Sequence, residues 1–346
     1  MRVPPVVSQG RCAVWEEPIG PPGVRIRERA TVDPPPGHVR VRVRAAGLNH
    51  LDLWVVTGTQ RVTPPRVISG DGAGVVEASA TPDWEPGDEV LFYPVAACWR
   101  CAQCRAGQQV HCGQFAVLGE HADGAACEWI QLPAQSLFRK PEMLSWAEAA
   151  ALPLAYLTAW RMLVTRARLR AGETLVVVGG GGAVGSAAIR IGAHLGAAVL
   201  TTSRTEDKYP ELRALGAAHA FSSAGFSRSV LDVTDGRGAD VVLDHVGAAT
   251  FDESMRSAAL GGRIVTCGAT TGMVTQLNLP RVFVRHLSIL GSTTGNADEF
   301  GDLVVAAGRG LKPVVAREYP LTEVREALDD VERSARVGKV VLNCVS

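Results

Sequence analysis

Four cysteines fall within the stretch CWRCAQCRAGQQVHC. Cys98, Cys101, Cys104 and Cys112 follow the pattern C-x2-C-x2-C-x7-C. Four thiolates this close make a tetrahedral site suited to zinc. Iron–sulfur clusters use similar cysteine runs, but an electron-transfer centre adds nothing to the chemistry of the second motif below. Four sulfurs saturate a zinc ion and leave no position for water or substrate, so one structural zinc is expected here. Cys12, Cys127, Cys267 and Cys344 are scattered and read as ordinary buried thiols.

The second motif is the glycine loop VVVGGGGAVGSAAI. It contains Gly180-x-Gly182-x-x-Gly185 directly after an apolar strand and before a helix. The first glycine makes a tight turn, the second lets backbone approach a pyrophosphate, and the third lets helix pack on strand. The helix N-terminus then offers unpaired N–H groups to phosphate. The end of the next strand selects the dinucleotide. An NAD site places an acid there for the ribose hydroxyls. Here the sequence is LTTSRTEDK: Ser203 stands at the acid position, Arg204 follows, and Lys208 lies one helical turn on. A hydroxyl and two cations suit a 2′-phosphate, so NADP(H) is the expected cofactor. Solvated surface charges are the plainer reading of Arg204 and Lys208.

The elements that must position these motifs divide the chain in two. A length of 346 residues allows about two domains. Residues 1–155 are rich in Pro, Gly and short alternating stretches. HVRVRVRAAG alternates with period two, as a half-exposed strand does, and GDEVLFYPV reads as a further strand after a turn. Near Leu144 helix formers take over in LSWAEAAALPLAYLTAWRMLV, with Ser145 and Glu148 spaced as a capping box. After Gly172 strands and helices alternate: TLVVVGG, VGSAAIRIGAHLGA, AVLTTS, PELRALGA, HAFSS, DVVLDHVG, TFDESMRSAALGG, RIVTCGA and LSILGSTTG. This rhythm predicts an α/β fold with a doubly wound parallel sheet over 156–295. The tail predicts one amphipathic helix and a last strand returning to the first, mostly β domain, which comprises 1–155 and 296–346 and carries the cysteine lobe near 95–115.

Acidic and basic residues balance at 35 each, which argues against nucleic acid as a partner. No run of eighteen apolar residues appears, so no membrane span is expected. The start, MRVPPVVSQGRCAVW, has no apolar core of signal-peptide length. The expectation is a soluble, cytoplasmic protein acting on a small-molecule substrate.

With these motifs the chain resembles the medium-chain dehydrogenase/reductase superfamily of zinc alcohol dehydrogenases and quinone oxidoreductases. GDEV, GEHADG, LTAW and the closing GKVVL add to the match, which runs over nearly the whole chain. The resemblance implies a GroES-like β domain split in sequence around a Rossmann domain, an active site in the cleft between them, and a homodimer formed through LSILGSTTG. Zinc alcohol dehydrogenases also hold a catalytic zinc on a Cys, a His and a second Cys. The GxCxxD stretch reads GLNHLD here and puts Asn49 at the first ligand. The GHE motif reads SGDGAG, taken to put Asp71 at the His with Gly72 for the Glu. Leu154, four residues before Thr158, takes the place of the second Cys. An amide, a carboxylate and an isobutyl group do not rebuild that site. GLNHLD instead looks like the N-x-x-D of quinone oxidoreductases and enoyl-reductase domains.

Without a Lewis acid, hydride transfer to a plain ketone loses its main aid. An enone, enoyl ester or quinone gives a delocalised product anion that hydrogen-bond donors can hold. The expectation is therefore an NADPH-dependent reduction of an activated C=C bond or quinone. A zinc-type alcohol dehydrogenase and a non-catalytic NADPH-binding protein are the alternatives. By the resemblance, Thr158 sits behind the nicotinamide and His50 meets the pyrophosphate. Asn49 is a candidate donor to substrate or carboxamide. Asp52 and Asp71 are candidate proton donors if they lie close enough for burial and repulsion to raise one pKa; plain acceptance of backbone hydrogen bonds is the other reading. Tyr156, Glu120 and His121 read as structural.

Overall fold

The computed structural model describes residues 8–60, 62–333 and 335–345. Two compact units emerge. The first comprises Met1–Leu154, Asn296–Ala335 and Lys339–Ser346; the second comprises Ala155–Gly295 and Arg336–Gly338.

In the first unit the alternating stretch forms the long strand His38–Leu48. Its Val39, Val41 and Val43 are buried in the apolar core, whereas Arg42 on the opposite face is exposed and lies over the Trp129 ring. One edge of the strand pairs antiparallel with Asp71–Ser79. The other pairs first with Trp129–Pro133 and then with the final strand Lys339–Asn343. The tail thus returns to this sheet, with Val341 opposite Gly47 and Gly47 opposite Asp71. A separate three-stranded sheet joins Val24–Thr31, Ser8–Trp15 and Arg66–Val67.

The second unit holds a six-stranded parallel sheet. Its order is His219–Ser222, Ala198–Ser203, Thr174–Val178, Ala239–Asp244, Ala258–Thr266, Ser288–Gly291. Counted along the chain this is third, second, first, fourth, fifth, sixth, the doubly wound arrangement that binds dinucleotides at its reversal point. Val176, Val178, Val242 and Ile264 fill its core.

Several local readings change. GDEVLFYPV is two strands, Glu89–Phe92 and Val95–Ala96, parted at Tyr93-Pro94 because proline has no N–H to give a ladder. The long helical stretch breaks into Trp146–Ala151, Pro153–Trp160 and a π-helical turn Arg161–Arg166. Pro153 forces the first break, since its ring excludes the preceding turn. The capping box forms: the Glu148 N–H donates to Ser145 Oγ at 3.1 Å and the Ser145 N–H to Glu148 Oε2 at 2.8 Å. The helix after Thr250 ends at Ser257, and AALGG opens the next strand instead. The helix Phe226–Val233 was not anticipated. Among the described residues no helix is long and apolar enough to cross a membrane.

Candidate functional site

The strand pairing of the first unit brings Asn49, Asp52 and Asp71 together. Asn49 precedes the helix His50–Val56, and Asp52 folds back so that its Oδ2 accepts from the Asn49 N–H at 2.7 Å. Its Oδ1 accepts from the Ser69 N–H at 2.8 Å. Asn49 Nδ2 donates to Asp71 Oδ2 at 2.8 Å. Asp71 Oδ1 accepts from the Leu154 N–H at 2.5 Å.

The centre of this group is a residue to which the sequence reading gave no role. The Lys339 ammonium donates to both Asn49 Oδ1 and Asp71 Oδ2. Its side chain is 2% exposed and that of Asp71 is 0% exposed. Gly47 makes the arrangement possible: a Cβ there would stand 2.9 Å from Lys339 Cε and 3.1 Å from Asp71 Cβ. The lysine stem crosses the sheet over that bare backbone.

These contacts bear on three readings. Asp71, read as a candidate proton donor or as an acceptor of backbone hydrogen bonds, is wholly buried with both oxygens engaged, one of them by the Leu154 N–H. Asn49 spends its amide on Asp71 and its carbonyl on Lys339 rather than pointing free groups outward. The metal-ligand comparison also shifts by one residue. A Cβ on Gly70 would lie 3.6 Å from Leu154 Cδ2, whereas the Asp71 carboxylate takes the Leu154 backbone. Gly70 therefore faces the Leu154 side chain, and it has no side chain of its own. A zinc site needs three such ligands, and these positions supply an amide already bonded to an ammonium, nothing, and an isobutyl group.

Asp52 is the titrating member. Burial pushes its carboxyl up to about 6, with the Asp71 charge acting in the same direction. The Asn49 and Ser69 N–H groups and the Lys339 charge pull the other way. His50 is exposed and packs edge-on against Trp54, with ring centroids 5.5 Å apart.

The cysteine lobe is pre-formed. The Cys98 and Cys104 sulfurs are 3.8 Å apart and those of Cys101 and Cys112 3.9 Å apart. Tetrahedral zinc with ~2.3 Å bonds demands ligand separations of about 3.8 Å. Backbone N–H groups point at the sulfurs: Cys101 at Cys98 (3.3 Å), Cys104 at Cys101 (3.5 Å), and both Cys98 (3.5 Å) and Gln114 (3.3 Å) at Cys112. Such donors stabilise thiolates, and those of Arg100 and Cys101 hold Cys98 down at about 6. The residues fit the ion. Among the described residues this is the one group of three or more His, Cys, Asp or Glu side chains drawn together tightly enough for a metal. The lobe is tied to the helix Ala297–Gly308 at two points, Val110 N–H to Asn296 Oδ1 (3.1 Å) and Ala297 N–H to Gln109 Oε1 (3.2 Å).

In the second unit Gly180, Gly182 and Gly185 form the turn from Thr174–Val178 into the helix Ala183–His194. A Cβ on Gly185 would meet Gly179 O at 2.2 Å, so helix and strand pack this closely only over glycine. Gly182 caps the helix without a side-chain bond, which leaves its first N–H groups for an anion. Ser203 ends the neighbouring strand, and Arg204 after it is exposed. Lys208 leans over the loop: a Cβ on Gly181 would lie 3.4 Å from its ammonium. Partial burial and, after it, the nearby Arg204 lower the Lys208 pKa. The pyrophosphate of a dinucleotide fits this cradle. His245, also not singled out in the sequence, sets Nε2 3.3 Å from Gly179 O. Thr158 and Tyr156 are buried on the helix Pro153–Trp160.

Comparison with known proteins agrees with both units. Residues 35–142 match the family model described as alcohol dehydrogenase GroES-like domain, and residues 183–307 match zinc-binding dehydrogenase. The acryloyl-coenzyme A reductase of Metallosphaera sedula is 30% identical over 92% of this chain and 96% of its own length. Human quinone oxidoreductase is 26% identical over 93% of this chain and 94% of its own. A crystal structure of an NAD-dependent alcohol dehydrogenase superposes with a TM-score of 0.92 at 39% identity, covering 97% of this chain and all of that one. A split β domain, a glycine-loop sheet and likeness along nearly the full length of such relatives make this chain an oxidoreductase that belongs to the medium-chain dehydrogenase/reductase superfamily.

Proposed function

We propose that this enzyme is an NADPH-dependent reductase of activated C=C bonds (enones, enoyl thioesters or quinones) that works without a catalytic metal. One observation carries the reading: at the three positions that the resemblance aligns with the zinc ligands, this chain has Asn49, whose amide is spent on Asp71 and Lys339, then Gly70 with no side chain, then the Leu154 isobutyl group. NADPH, when bound, supplies the hydride, and the four-cysteine zinc supplies cross-linking alone.

The chain's own residues then have these tasks. The glycine loop and the start of Ala183–His194 hold the pyrophosphate, and Arg204 and Lys208 hold the 2′-phosphate. Asn49, Asp71 and Lys339 keep the backbone around Gly47 and Leu154 fixed. Asp52, with its raised pKa, is the group able to exchange a proton near neutral pH. The names of relatives support both sides: acryloyl-coenzyme A reductase and quinone oxidoreductase agree with the proposal, and the 39% identical structure is of an NAD-dependent alcohol dehydrogenase.

The deciding experiment is a substrate panel run with and without a chelator too weak to strip four thiolates. Activated alkenes and quinones should be reduced with NADPH in both conditions. Oxidation of plain alcohols that the chelator abolishes would overturn the reading and restore the alcohol dehydrogenase. We further propose a cytoplasmic homodimer. The strand Ser288–Gly291 is an unpaired sheet edge, and Leu260, Leu279, Phe283 and Val284 are exposed around it.

A further inference from the structure

Outside the zinc lobe the first unit buries a pair of thiols that the proposed reaction does not use. Cys12, on the strand Ser8–Trp15, faces Cys127 across an isolated antiparallel bridge. The Ala13 N–H donates to Ala126 O at 2.8 Å, and the Glu128 N–H donates to Arg11 O at 2.9 Å. These bonds bracket the two cysteines, which makes them a non-hydrogen-bonded pair. In such pairs the Cα atoms stand about 4.5 Å apart and the side chains are at their closest. That separation falls inside the window of roughly 4.4–6.8 Å that a disulfide spans. In the reduced pair each thiol donates to a backbone carbonyl, Cys12 to Gly10 O at 3.9 Å and Cys127 to Gly124 O at 3.6 Å.

We propose that Cys12 and Cys127 are a site of reversible two-electron oxidation, which a small peroxide converts into a cross-strand disulfide. Cys12 is the nucleophile. The neighbouring Cys127 side chain foremost, and the Arg29 guanidinium after it, hold its thiol below the ordinary value against the opposing effect of burial. Its thiolate attacks one peroxide oxygen. The O–O bond breaks, a sulfenic acid forms on Cys12, and the departing oxygen leaves as water with a proton. The Cys127 sulfur then attacks the Cys12 sulfur. The S–O bond breaks and a second water leaves with the Cys127 proton. Two thiols lose two electrons and two protons, and the peroxide becomes two waters.

Access is narrow, since Cys12 is 5% exposed. Hydrogen peroxide is little larger than water, and opening this isolated bridge breaks the two hydrogen bonds named above. The disulfide would tie Ser8–Trp15 to a segment that braces the active-site strand. Gly124 N–H bonds Val67 O, Ala126 N–H bonds Ile68 O and Ala125 N–H bonds Ser69 O. Ser69 in turn holds Asp52. The link closes a loop of 115 residues (127 − 12) and should raise the melting temperature by restricting the unfolded chain.

The test uses the full zinc-loaded chain. It is treated with hydrogen peroxide, its remaining thiols are capped, and it is digested and mapped by mass spectrometry, with zinc content measured alongside. The expected result is a cross-linked peptide pair containing Cys12 and Cys127, lighter by two hydrogens, that dithiothreitol separates, together with a higher melting temperature. Cys127→Ala should abolish the cross-link and Cys344→Ala should keep it. Because either variant can misfold, the wild-type map alone is decisive. Free Cys12 and Cys127 after other thiols have oxidised would overturn the proposal. So would a Cys127–Cys344 cross-link in its place, which the burial of Cys344 against the Cys127 backbone makes the natural competitor.

Discussion

Replacing Lys339 with methionine should damage the first unit more than any surface change, and by an amount the geometry sets. The ammonium is buried with a carboxylate and an amide oxygen. At an effective dielectric constant of ~20, opposite charges ~3 Å apart attract by about 5 kcal/mol. Removing one member of a buried pair leaves the other charge uncompensated and typically costs about 3–5 kcal/mol. The Asn49 carbonyl oxygen also loses its donor, which adds about 1–3 kcal/mol where water cannot replace it. A fall of about 4–8 kcal/mol is therefore expected for Lys339→Met. The double variant Lys339→Met, Asp71→Asn removes both charges and should recover most of that loss. Denaturant unfolding followed by tryptophan fluorescence suits the measurement, because of the seven tryptophans all but Trp160 lie in the first unit. A single variant within about 1 kcal/mol of wild type would refute the reasoning. A double variant whose loss equals the sum of the two singles would refute it equally, since coupled partners cannot be additive.

Three further outcomes are expected. Cys101→Ser should lose zinc and stability together, since metal binding here is folding energy; elemental analysis of the wild type should find one zinc per chain, and two or none would count against the structural assignment. Arg204→Ser should weaken NADPH binding by about 1.5–3 kcal/mol and leave NADH nearly unchanged; titrations in which both cofactors weaken alike would remove Arg204 from the phosphate site. Burial raises the Asp52 pKa from 3.8 to about 6, so the native state holds this proton more tightly than the unfolded chain does. That contribution is present in full below pH 3.8 and is lost as pH rises through about 6, a change of about 3 kcal/mol. The stability of wild type relative to Asp52→Asn should fall over this window, and a flat or rising difference would contradict the burial argument.

The parts of the site that were legible in the sequence are those built from local spacing. A four-cysteine lobe and a glycine loop each lie within one short segment, so the chain itself sets their geometry. The Ser145–Glu148 capping box is legible for the same reason. The parallel sheet was readable because its strands are continuous apolar runs separated by helical periods. Lys339 was not, because it meets Asp71 across 268 positions of sequence. That contact depends on where the last strand docks and on a glycine at position 47 that lets the lysine stem cross. One faint signal was present. The chain uses lysine only at 140, 208, 312 and 339 and otherwise prefers arginine. A lysine opening the apolar strand KVVLN therefore stands out in this chain. The shift between Gly70 and Asp71 was likewise invisible. Neighbours on a strand point to opposite faces, and a motif matched by letters alone does not say which of two adjacent residues faces Leu154.

In the proposed metal-free mechanism, the lack of zinc-ligand side chains at Asn49, Gly70 and Leu154 limits which reactions the first unit can assist. Zinc activates a carbonyl by binding its oxygen through an open coordination position. The Lys339 ammonium donates instead to Asn49 and Asp71, and the Asp71 charge cancels its own. In the proposed mechanism the buried ion pair holds this part of the unit in place without offering a free positive centre. Such an arrangement gives little help to a localised alkoxide, which needs a strong positive centre. It is sufficient for an enolate or hydroquinone anion, whose charge is already spread over several atoms. The same logic explains why breaking the pair should cost stability first. Lys339 acts by fixing the backbone at Gly47 and Leu154. A Lys339→Met, Asp71→Asn enzyme that folds should therefore keep its preference for activated acceptors, and it should not acquire activity on plain alcohols when zinc is added.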